Sequence, residues 1–393
     1  MGERRLLRTA VIGYGLSGRV FHAPFLEASG DYSLDAIVTS SPERAAQAAA
    51  SHPAARIVAT AEELFAGPEL LDLVVVGTPP GSHYALAEAA ISHGLHVVVD
   101  KPFVPVSAQG EALIAKARQA GVVLSVYQNR RWDADFLTLT KLVRSGELGR
   151  VHTFESRFER WKPEGLRAWK ATADPASGGG ILFDLGVHLI DQALTLFGPV
   201  ATVYGETSRH TVPARLGARP AVGPAAGSGS AESAPESAAE SGAASGAGGA
   251  GAGVGLGADE DAFVSLLHES GVRSRLWMNL VSAQPAPRFR VLGSAAAFIS
   301  WGMDGQEAAL NAGAVPGSGG YGVEPEERWG TLGTPGNIHK VPSERGRYPE
   351  FYRQLAAAIN HGAPVPVRPA DALDAIRIIE QIHRQNRSQN SGS

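Results

Sequence analysis

The stretch Thr9-Ala-Val-Ile-Gly13-Tyr-Gly15-Leu-Ser-Gly18 decides the fold of this chain. A short apolar segment leads directly into three glycines spaced G-x-G-x-x-G, and residues 19–28 can continue as a helix. In such a unit the first glycine permits a tight turn, the second lets the backbone approach a pyrophosphate, and the third lets helix and strand pack closely. The phosphates then lie at the helix N-terminus. The stretch therefore predicts a dinucleotide site built by six consecutive residues: Gly13, Tyr14, Gly15, Leu16, Ser17 and Gly18.

The first third of the chain alternates short apolar strands with helices. We predict strands at residues 9–12, 33–38, 56–58, 71–77, 96–99 and 122–126. The helices predicted between them are residues 19–29, 42–51, 61–65, 84–93 and 108–120. This alternation is typical of a doubly wound parallel sheet. We therefore expect an α/β protein whose N-terminal Rossmann domain, residues 1–127, binds the dinucleotide.

The pattern changes after Tyr127, where strands with alternating polar and apolar residues are predicted. These strands are residues 151–161, 201–207, 262–268, 273–281, 288–292 and 297–301, with a hairpin at Glu269-Ser-Gly271. Helices are predicted at residues 136–145, 181–197, 348–361 and 369–384. We expect a C-terminal α+β domain, residues 128–387, with a mixed, largely antiparallel sheet and a tail at 388–393. Residues 313–342 are predicted to be a loop with packed aromatic side chains.

Residues 218–257 have a different composition from the rest of the chain. From Gly223 to Gly253 the stretch contains only Ala, Gly, Ser, Pro and Glu. Such a segment buries too little apolar surface to offset the entropy of ordering it. We predict a disordered insertion in a surface loop; the alternative is a regulatory or partner-binding arm.

The composition limits the class of protein. The 393 residues are 44% hydrophobic and 19% charged, as is typical of soluble globular proteins. The formal net charge of −4 gives no reason to expect a nucleic-acid or anionic membrane partner. No apolar run approaches the ~20 residues of a membrane span. The lack of cysteine excludes disulfides, thiolate metal sites and cysteine nucleophiles. We expect a cytoplasmic protein.

The end of the second predicted strand bears on the choice of coenzyme. An acidic residue at this point normally holds the ribose 2′-hydroxyl of NAD. Here the strand ends in Thr39, Ser40 and Ser41, and Arg44 follows. Hydroxyl groups and a guanidinium suit a 2′-phosphate, which favours NADP over NAD, although NAD stays possible. The alternative is that Ser40 or Ser41 only caps the following helix and that Arg44 is solvated, and both roles can hold together.

Other strand ends of the first domain carry polar residues. The carboxyl ends of the strands face the ligand in open α/β sheets, so Thr78 and Pro79 should line the nucleotide crevice. His83, at the start of the next helix, is predicted to contact the cofactor or to be structural. Asn129 follows the last strand and is a candidate for nicotinamide or substrate contact. The two arginines after it are expected to contribute ion pairs where the domains join.

Two further segments carry candidate catalytic residues. Lys101 follows a buried strand and precedes a proline, a position from which its ammonium can stabilise a developing alkoxide. Asp184 and His188 are four residues apart on a predicted helix, after the glycines Gly178 to Gly180. Histidine suits proton transfer, and a carboxylate can orient it. The alternatives are a buried structural pair, or half a metal site that lacks a third ligand. A polar substrate cleft is a further candidate, although a sheet face explains the same residues equally well: Arg157, Arg160, Trp161 and Trp169.

Taken together, these motifs resemble the Gfo/Idh/MocA oxidoreductase family over nearly the whole chain. They are the glycine turn, Thr78-Pro-Pro with His83, Asp100-Lys101-Pro102, and Gly178-Gly-Gly-Ile-Leu-Phe-Asp184-x-Gly-x-His188-x-x-Asp191. Asn129-Arg-Arg-Trp-Asp133 and Phe21-His-Ala-Pro24 resemble the branch that contains NADP-dependent scyllo-inositol dehydrogenase. The resemblance implies a catalytic group of Lys101, Asp184 and His188, and a homodimer or homotetramer built on the open sheet face. Asp100 stands where the family usually has Glu, and we expect it to keep the contact with the cofactor.

These expectations define one leading function and two alternatives. The leading hypothesis is hydride transfer between NADP and a secondary alcohol or ketone of an inositol, polyol or sugar. One alternative keeps the cofactor but hydrolyses glycosides or reduces a tetrapyrrole pigment. The other is a binding protein that senses nucleotide and sugar without catalysis.

Overall fold

The computed structural model describes residues 5–67, 70–162, 177–209 and 258–390. These residues form two β-sheets with helices packed against them. The predicted insertion at 218–257 and Trp169 lie outside the described residues. In the described ranges no helix is both long enough and apolar enough to cross a membrane.

The first sheet has six parallel strands in the order β3-β2-β1-β4-β5-β6. They are β1 Leu7–Ile12, β2 Tyr32–Val38, β3 Arg56–Val58, β4 Leu73–Val76, β5 His96–Asp100 and β6 Leu124–Tyr127. All four residues of β4 are buried, as expected for a strand covered on both faces. The strand order reverses between β1 and β4, which opens a crevice at the carboxyl edge. The predicted doubly wound sheet is confirmed.

The helices of this half are α1 Ala23–Ala28, α2 Pro42–Ser51, α3 Ala61–Phe65, α4 His83–Ser92 and α5 Ser107–Ala120. Thr60 caps α3 as predicted, since its hydroxyl accepts a hydrogen bond from the backbone N–H of Glu63 at 3.2 Å. The helix predicted directly after the glycine turn differs in geometry. It starts as a π-helical segment, Ser17–His22, and becomes α-helical only at α1.

The second sheet has eight strands in the order β14-β13-β12-β11-β7-β10-β9-β8. They are β7 Val151–Glu159, β8 Val200–Ser208, β9 Asp261–His268, β10 Arg273–Asn279, β11 Phe289–Gly293, β12 Ala297–Ser300, β13 Gly330–Thr334 and β14 Asn337–Val341. Strands β7 and β10 pair in parallel, and the other pairings are antiparallel. The predicted mixed, largely antiparallel sheet and the hairpin between β9 and β10 are confirmed.

The later helices are α6 Ala134–Ser145, α7 Val187–Phe197, α8 Gln306–Asn311, α9 Pro349–His361 and α10 Pro369–Asn390. Helices α6, α7 and α10 share the apolar core of the second sheet. Helix α9 instead completes the core of the first sheet, where Phe351 and Tyr352 are fully buried. Helix α10 also reaches the first half of the chain, since Ser107 donates two hydrogen bonds to Glu380 at 2.6 and 2.8 Å.

The structure differs from the sequence predictions at three places near the C-terminal end of the chain. Helix α8 was not predicted, and the hairpin of β13 and β14 occupies part of the predicted loop at 313–342. Glycines obscured this hairpin, although Gly333 is needed there because a Cβ atom would lie 2.0 Å from the carbonyl oxygen of Asn337. Tyr321 in the same region is buried, as predicted. Helix α10 extends beyond residue 384, so part of the predicted tail is helical.

Candidate functional site

The glycine turn forms a close-fitting backbone cradle after β1. Gly13 has a φ of +100°, and a Cβ atom there would lie 2.7 Å from the carbonyl oxygen of Gly77. A Cβ atom on Gly18 would lie 2.0 Å from the carbonyl oxygen of Gly13, so helix and strand meet without room for a side chain. At Gly15 the nearest atom to an added Cβ is Arg44 Nη1, at 3.8 Å. The turn is closed at its first and third glycines and open at its second, which suits a pyrophosphate.

The other residues of the turn do not all face the crevice. Tyr14 is buried, with its hydroxyl 2.8 Å from His52 Nε2, so only its backbone is available to a ligand. Leu16 is exposed at the tip of the turn. Ser17 donates a hydrogen bond to the carboxylate of Asp100, which joins the turn to the end of β5.

The Asp100 carboxylate is held by the protein itself. It accepts a hydrogen bond from the backbone N–H of Lys101 at 2.7 Å, and His22 Nε2 lies 3.8 Å from it. Burial alone raises the pKa of Asp100, but contacts with His22, Lys101 and Ser17 outweigh burial and lower the pKa to about 2. This carboxylate therefore contacts both Lys101 and the glycine turn, and the predicted contact with a cofactor stays a prediction.

The segment after β2 fits both interpretations of its sequence, a serine that caps the next helix and an arginine placed near the coenzyme phosphates. The Ser41 hydroxyl accepts a hydrogen bond from the backbone N–H of Arg44 at 3.3 Å and so caps α2. The Arg44 guanidinium also reaches the second glycine of the turn. Thr39 is half-buried and Ser40 is exposed beside it. Hydroxyl groups and one cation thus lie next to the place where a dinucleotide's phosphates are expected.

His83 has a structural position rather than one facing the crevice. It is fully buried, and its Nδ1 and Nε2 lie 2.9 and 2.8 Å from the carbonyl oxygens of Pro102 and Thr78. Burial lowers the pKa of its imidazole. The imidazole lies between the loops after β4 and β5, which agrees with the structural alternative, and a contact with the cofactor stays a prediction. Thr78 is half-buried and Pro79 exposed at that edge.

Lys101 links the two halves of the molecule. Its Nζ donates to the backbone oxygen of Asp184 at 3.0 Å and lies 3.5 Å from Asp184 Oδ1. Asp184 belongs to a π-helical segment, Leu182–Gly186, that runs into α7. Both side chains are about one-fifth exposed, at 22% and 23%, so they border solvent without being free in it. Two residues far apart in sequence therefore share one edge of the crevice.

His188 lies in the first turn of α7 and is 4% exposed. Its Nδ1 is buried and has no hydrogen-bond partner among the described residues. Burial lowers the pKa of the imidazole well below its ordinary value. Four cations lower this pKa further: Lys101, Arg130, Arg288 and Arg160. The ring is therefore neutral at pH 7 and able to accept a proton.

The glycines before Asp184 were predicted to let another group come close to the backbone, and the group that does so is the Asp259 carboxylate. A Cβ atom on Gly180, whose φ is +96°, would lie 2.0 Å from Asp259 Oδ1. Asp259 Oδ2 accepts from the backbone N–H of Leu182 at 3.2 Å, and burial raises the pKa of Asp259 to about 6. This carboxylate, which the sequence analysis missed, caps the helical segment that carries Asp184. The acidic run at 259–261, directly after a low-complexity stretch, was the available signal.

The arginines after β6 are ion-paired, as predicted. Arg131 makes two hydrogen bonds to Asp191, at 2.8 and 2.6 Å. Arg130 lies 3.3 Å from Asp133 and also binds Glu307, a residue of the unpredicted helix α8. Asn129, just before them, is 7% exposed at the end of β6. Among the residues that the structure describes, no group of three or more His, Asp or Glu side chains could hold a metal ion.

The geometry fits a nicotinamide dinucleotide. The open second glycine leaves space for the diphosphate, and Arg44 lies beside it. At the end of β6 the side-chain amide of Gln128 is buried, and neither its nitrogen nor its oxygen has a partner in the described ranges. Such buried polar groups are rare without a ligand or water. An ammonium, a carboxylate and a neutral imidazole lie at the same edge, which is a set suited to alcohol–ketone chemistry.

Comparisons with known proteins agree with this arrangement. Residues 7–128 match the model of an oxidoreductase family with an NAD-binding Rossmann fold, and residues 136–299 match the GFO/IDH/MocA C-terminal domain. The chain is 33% identical to scyllo-inositol 2-dehydrogenase (NADP(+)) IolW of Bacillus subtilis, over 96% of this chain and 94% of that protein. It is 32% identical to the oxidoreductase YdgJ of Escherichia coli, over 95% and 94%. The solved structure of the oxidoreductase yvaA from Bacillus subtilis superposes with a TM-score of 0.82 at 30% identity, covering 99% of this chain and 98% of the other.

Proposed function

Because the chain belongs to the Gfo/Idh/MocA family of oxidoreductases, we propose that it is an NADP-dependent dehydrogenase or reductase. Its substrate is a secondary alcohol, or the matching ketone, of an inositol, polyol or sugar. The observation that carries the proposal is the meeting of Lys101, Asp184 and His188 at the edge of the crevice beside the glycine turn. The similarity to an NADP(+)-dependent scyllo-inositol dehydrogenase supports both the coenzyme and the substrate class.

Each residue of the crevice has a separate role in the proposed alcohol oxidation. A bound nicotinamide supplies the hydride acceptor. His188, whose imidazole is neutral, accepts the hydroxyl proton as general base. Lys101 Nζ donates a hydrogen bond to the same oxygen and stabilises the negative charge that develops on it. Asp184 holds the ammonium in place and orients the substrate. Thr78, Pro79 and Asn129 line the nicotinamide end.

The preference for NADP rests on Arg44. Its guanidinium lies beside Gly15, and Thr39, Ser40 and Ser41 precede it in the segment after β2. A 2′-phosphate gains charge-assisted hydrogen bonds from such groups.

We also propose that the chain consists of a dinucleotide-binding domain, residues 1–127, and a substrate-binding domain, residues 128–387. Self-association into a homodimer or homotetramer is proposed through the outer face of the second sheet, where Tyr204 and Leu267 are exposed.

The test is a coenzyme titration followed by a substrate screen. We expect NADPH to bind more tightly than NADH, and NADP⁺ to give a 340 nm signal with at least one member of a panel of inositols, polyols and sugars that includes scyllo-inositol. Tight coenzyme binding with no absorbance change across the panel would favour a binding protein. Cleavage of glycosides without net oxidation or reduction of the coenzyme would favour a glycosidase. Light scattering measures the mass of the particle in solution and so tests the proposed homodimer or homotetramer.

A further inference from the structure

Arg160 is a half-buried cation fixed beside the candidate catalytic group. It follows β7, where its backbone N–H donates to the carbonyl of Asn279 at 2.9 Å and its carbonyl accepts from Ser282 at 3.0 Å. Its guanidinium carbon lies 5.0 Å from the ring centroid of Phe158. The Phe158 ring is 6.4 Å from the His188 ring, so this cation–π contact holds the guanidinium next to the imidazole.

Arg160 differs from the other cations around His188 in its ion pairing. Each of the others has a carboxylate oxygen within 3.5 Å: Lys101 has Asp184, Arg130 has Asp133 and Arg288 has Asp135. In the part of the chain that the structure describes, no carboxylate lies within the 4.0 Å of an ion pair from the Arg160 guanidinium.

Glu307 is an acid near Arg160, and its carboxylate already pairs with another cation. Burial opposes ionisation of Glu307, but the nearby cations outweigh it and lower its pKa, with Arg130 contributing first and Arg160 after it. The Glu307 carboxylate hydrogen-bonds the guanidinium of Arg130. Arg130 lies over the same Phe158 ring, 4.7 Å from its centroid. The charge of Glu307 is therefore matched by Arg130, and among the described residues the charge of Arg160 has no ion-pair partner.

We propose that Arg160 forms a subsite for an anionic substituent of the substrate, a carboxylate or a phosphate ester. The inference rests on the proposed function, since it assigns a second substituent of the molecule whose hydroxyl reacts at Lys101 and His188. A guanidinium presents paired N–H donors that match a carboxylate or phosphate. A half-buried cation loses hydration, and an anion brought by the substrate restores that loss. Neutral polyols offer no such compensation, so the substrate class narrows to sugar acids or sugar phosphates.

The experiment compares ligands that differ only in the anionic group. Isothermal titration of the full chain saturated with NADPH uses D-glucose against D-glucuronate, D-glucose against D-glucose 6-phosphate, and myo-inositol against myo-inositol 1-phosphate. We expect at least one anionic member to bind about tenfold or more tightly than its neutral partner, as expected for a hydrogen bond between charged groups. The pair that shows the preference identifies the group as carboxylate or phosphate.

The variant Arg160→Gln tests the assignment, with Arg118→Gln on the exposed side of α5 as the matched control. The ratio of the affinity for the anionic ligand to that for its neutral partner should fall to about one in Arg160→Gln. The same ratio should be unchanged in Arg118→Gln. The inference is overturned if no anionic member binds more tightly than its neutral partner, or if the preference survives in Arg160→Gln. Failure of the proposed function is a separate result, because it appears as a lack of coenzyme binding or of a 340 nm signal with every sugar tested.

Discussion

Adding one methyl group at two positions of the glycine turn should separate folding from coenzyme binding. At Gly18 the new Cβ would lie 2.0 Å from the carbonyl oxygen of Gly13, far inside the 3.4 Å at which ordinary contact begins. The neighbour is backbone, so β1 and the following helix must move apart. Overpacking of this kind costs typically about 1–3 kcal/mol. We expect Gly18→Ala to lose free energy of unfolding in that range.

Gly15→Ala is the matched variant, because its added Cβ meets only Arg44 Nη1, at 3.8 Å. Its φ lies outside the left-handed range, so the folded chain accepts the methyl group and stability should change by less than about 1 kcal/mol. The methyl group instead occupies the approach of the pyrophosphate. We expect the affinity for NADPH to fall by at least about tenfold, which is about 1.4 kcal/mol.

The assays are equilibrium urea unfolding of both variants and isothermal titration with NADPH. The parent chain and a surface variant such as Arg118→Gln serve as controls. The reasoning about the turn is refuted if Gly15→Ala binds NADPH as tightly as the parent. It is also refuted if Gly18→Ala unfolds at the same urea concentration as the parent.

Three further predictions concern the proposed chemistry. Lys101→Met should lower kcat by about a hundredfold or more with little change in the NADPH dissociation constant, because the ammonium acts on the reacting oxygen; an equal loss in coenzyme affinity would contradict that role. Burial holds the pKa of His188 well below its ordinary value of 6.5, so the imidazole stays in its base form at neutral pH. The oxidation rate should therefore be constant between pH 6.5 and 7 and should fall only in more acidic buffers. A pH–rate profile that rises through neutrality, unchanged in His188→Asn, would exclude this base. Arg44→Ala should weaken NADPH binding by about tenfold and leave NADH binding nearly unchanged, and equal weakening of both would place Arg44 at the diphosphate instead.

The features that could be predicted from the sequence are those encoded locally. The spacing of the glycines at 13, 15 and 18 predicts the geometry of the turn directly. The continuous apolar run of β4 predicts a strand that is buried on both faces. The Thr60 cap was likewise visible, because its partner lies three residues away. Local spacing and the alternation of elements were enough for the fold class.

The parts of the site that could not be predicted depend on contacts between distant segments. Lys101 and Asp184 meet only because the two sheets pack together, so the sequence suggested the pair through family resemblance alone. The Asp100 carboxylate contacts Ser17 and lies near His22, which a strand pattern does not reveal. Asp259 and Glu307 come from an irregular segment and a short helix, and both bind partners far away in sequence.

The position of α9 has a consequence for biosynthesis. The ribosome releases the six strands of the first sheet long before Phe351 and Tyr352, which fill its core. Nascent domains generally fold from the N-terminus as they emerge, but here the first-made half must wait with apolar surface uncovered until the last-made helices arrive. A premature stop codon before α9 would thus disable the coenzyme-binding half, even though every residue of the glycine turn had been translated.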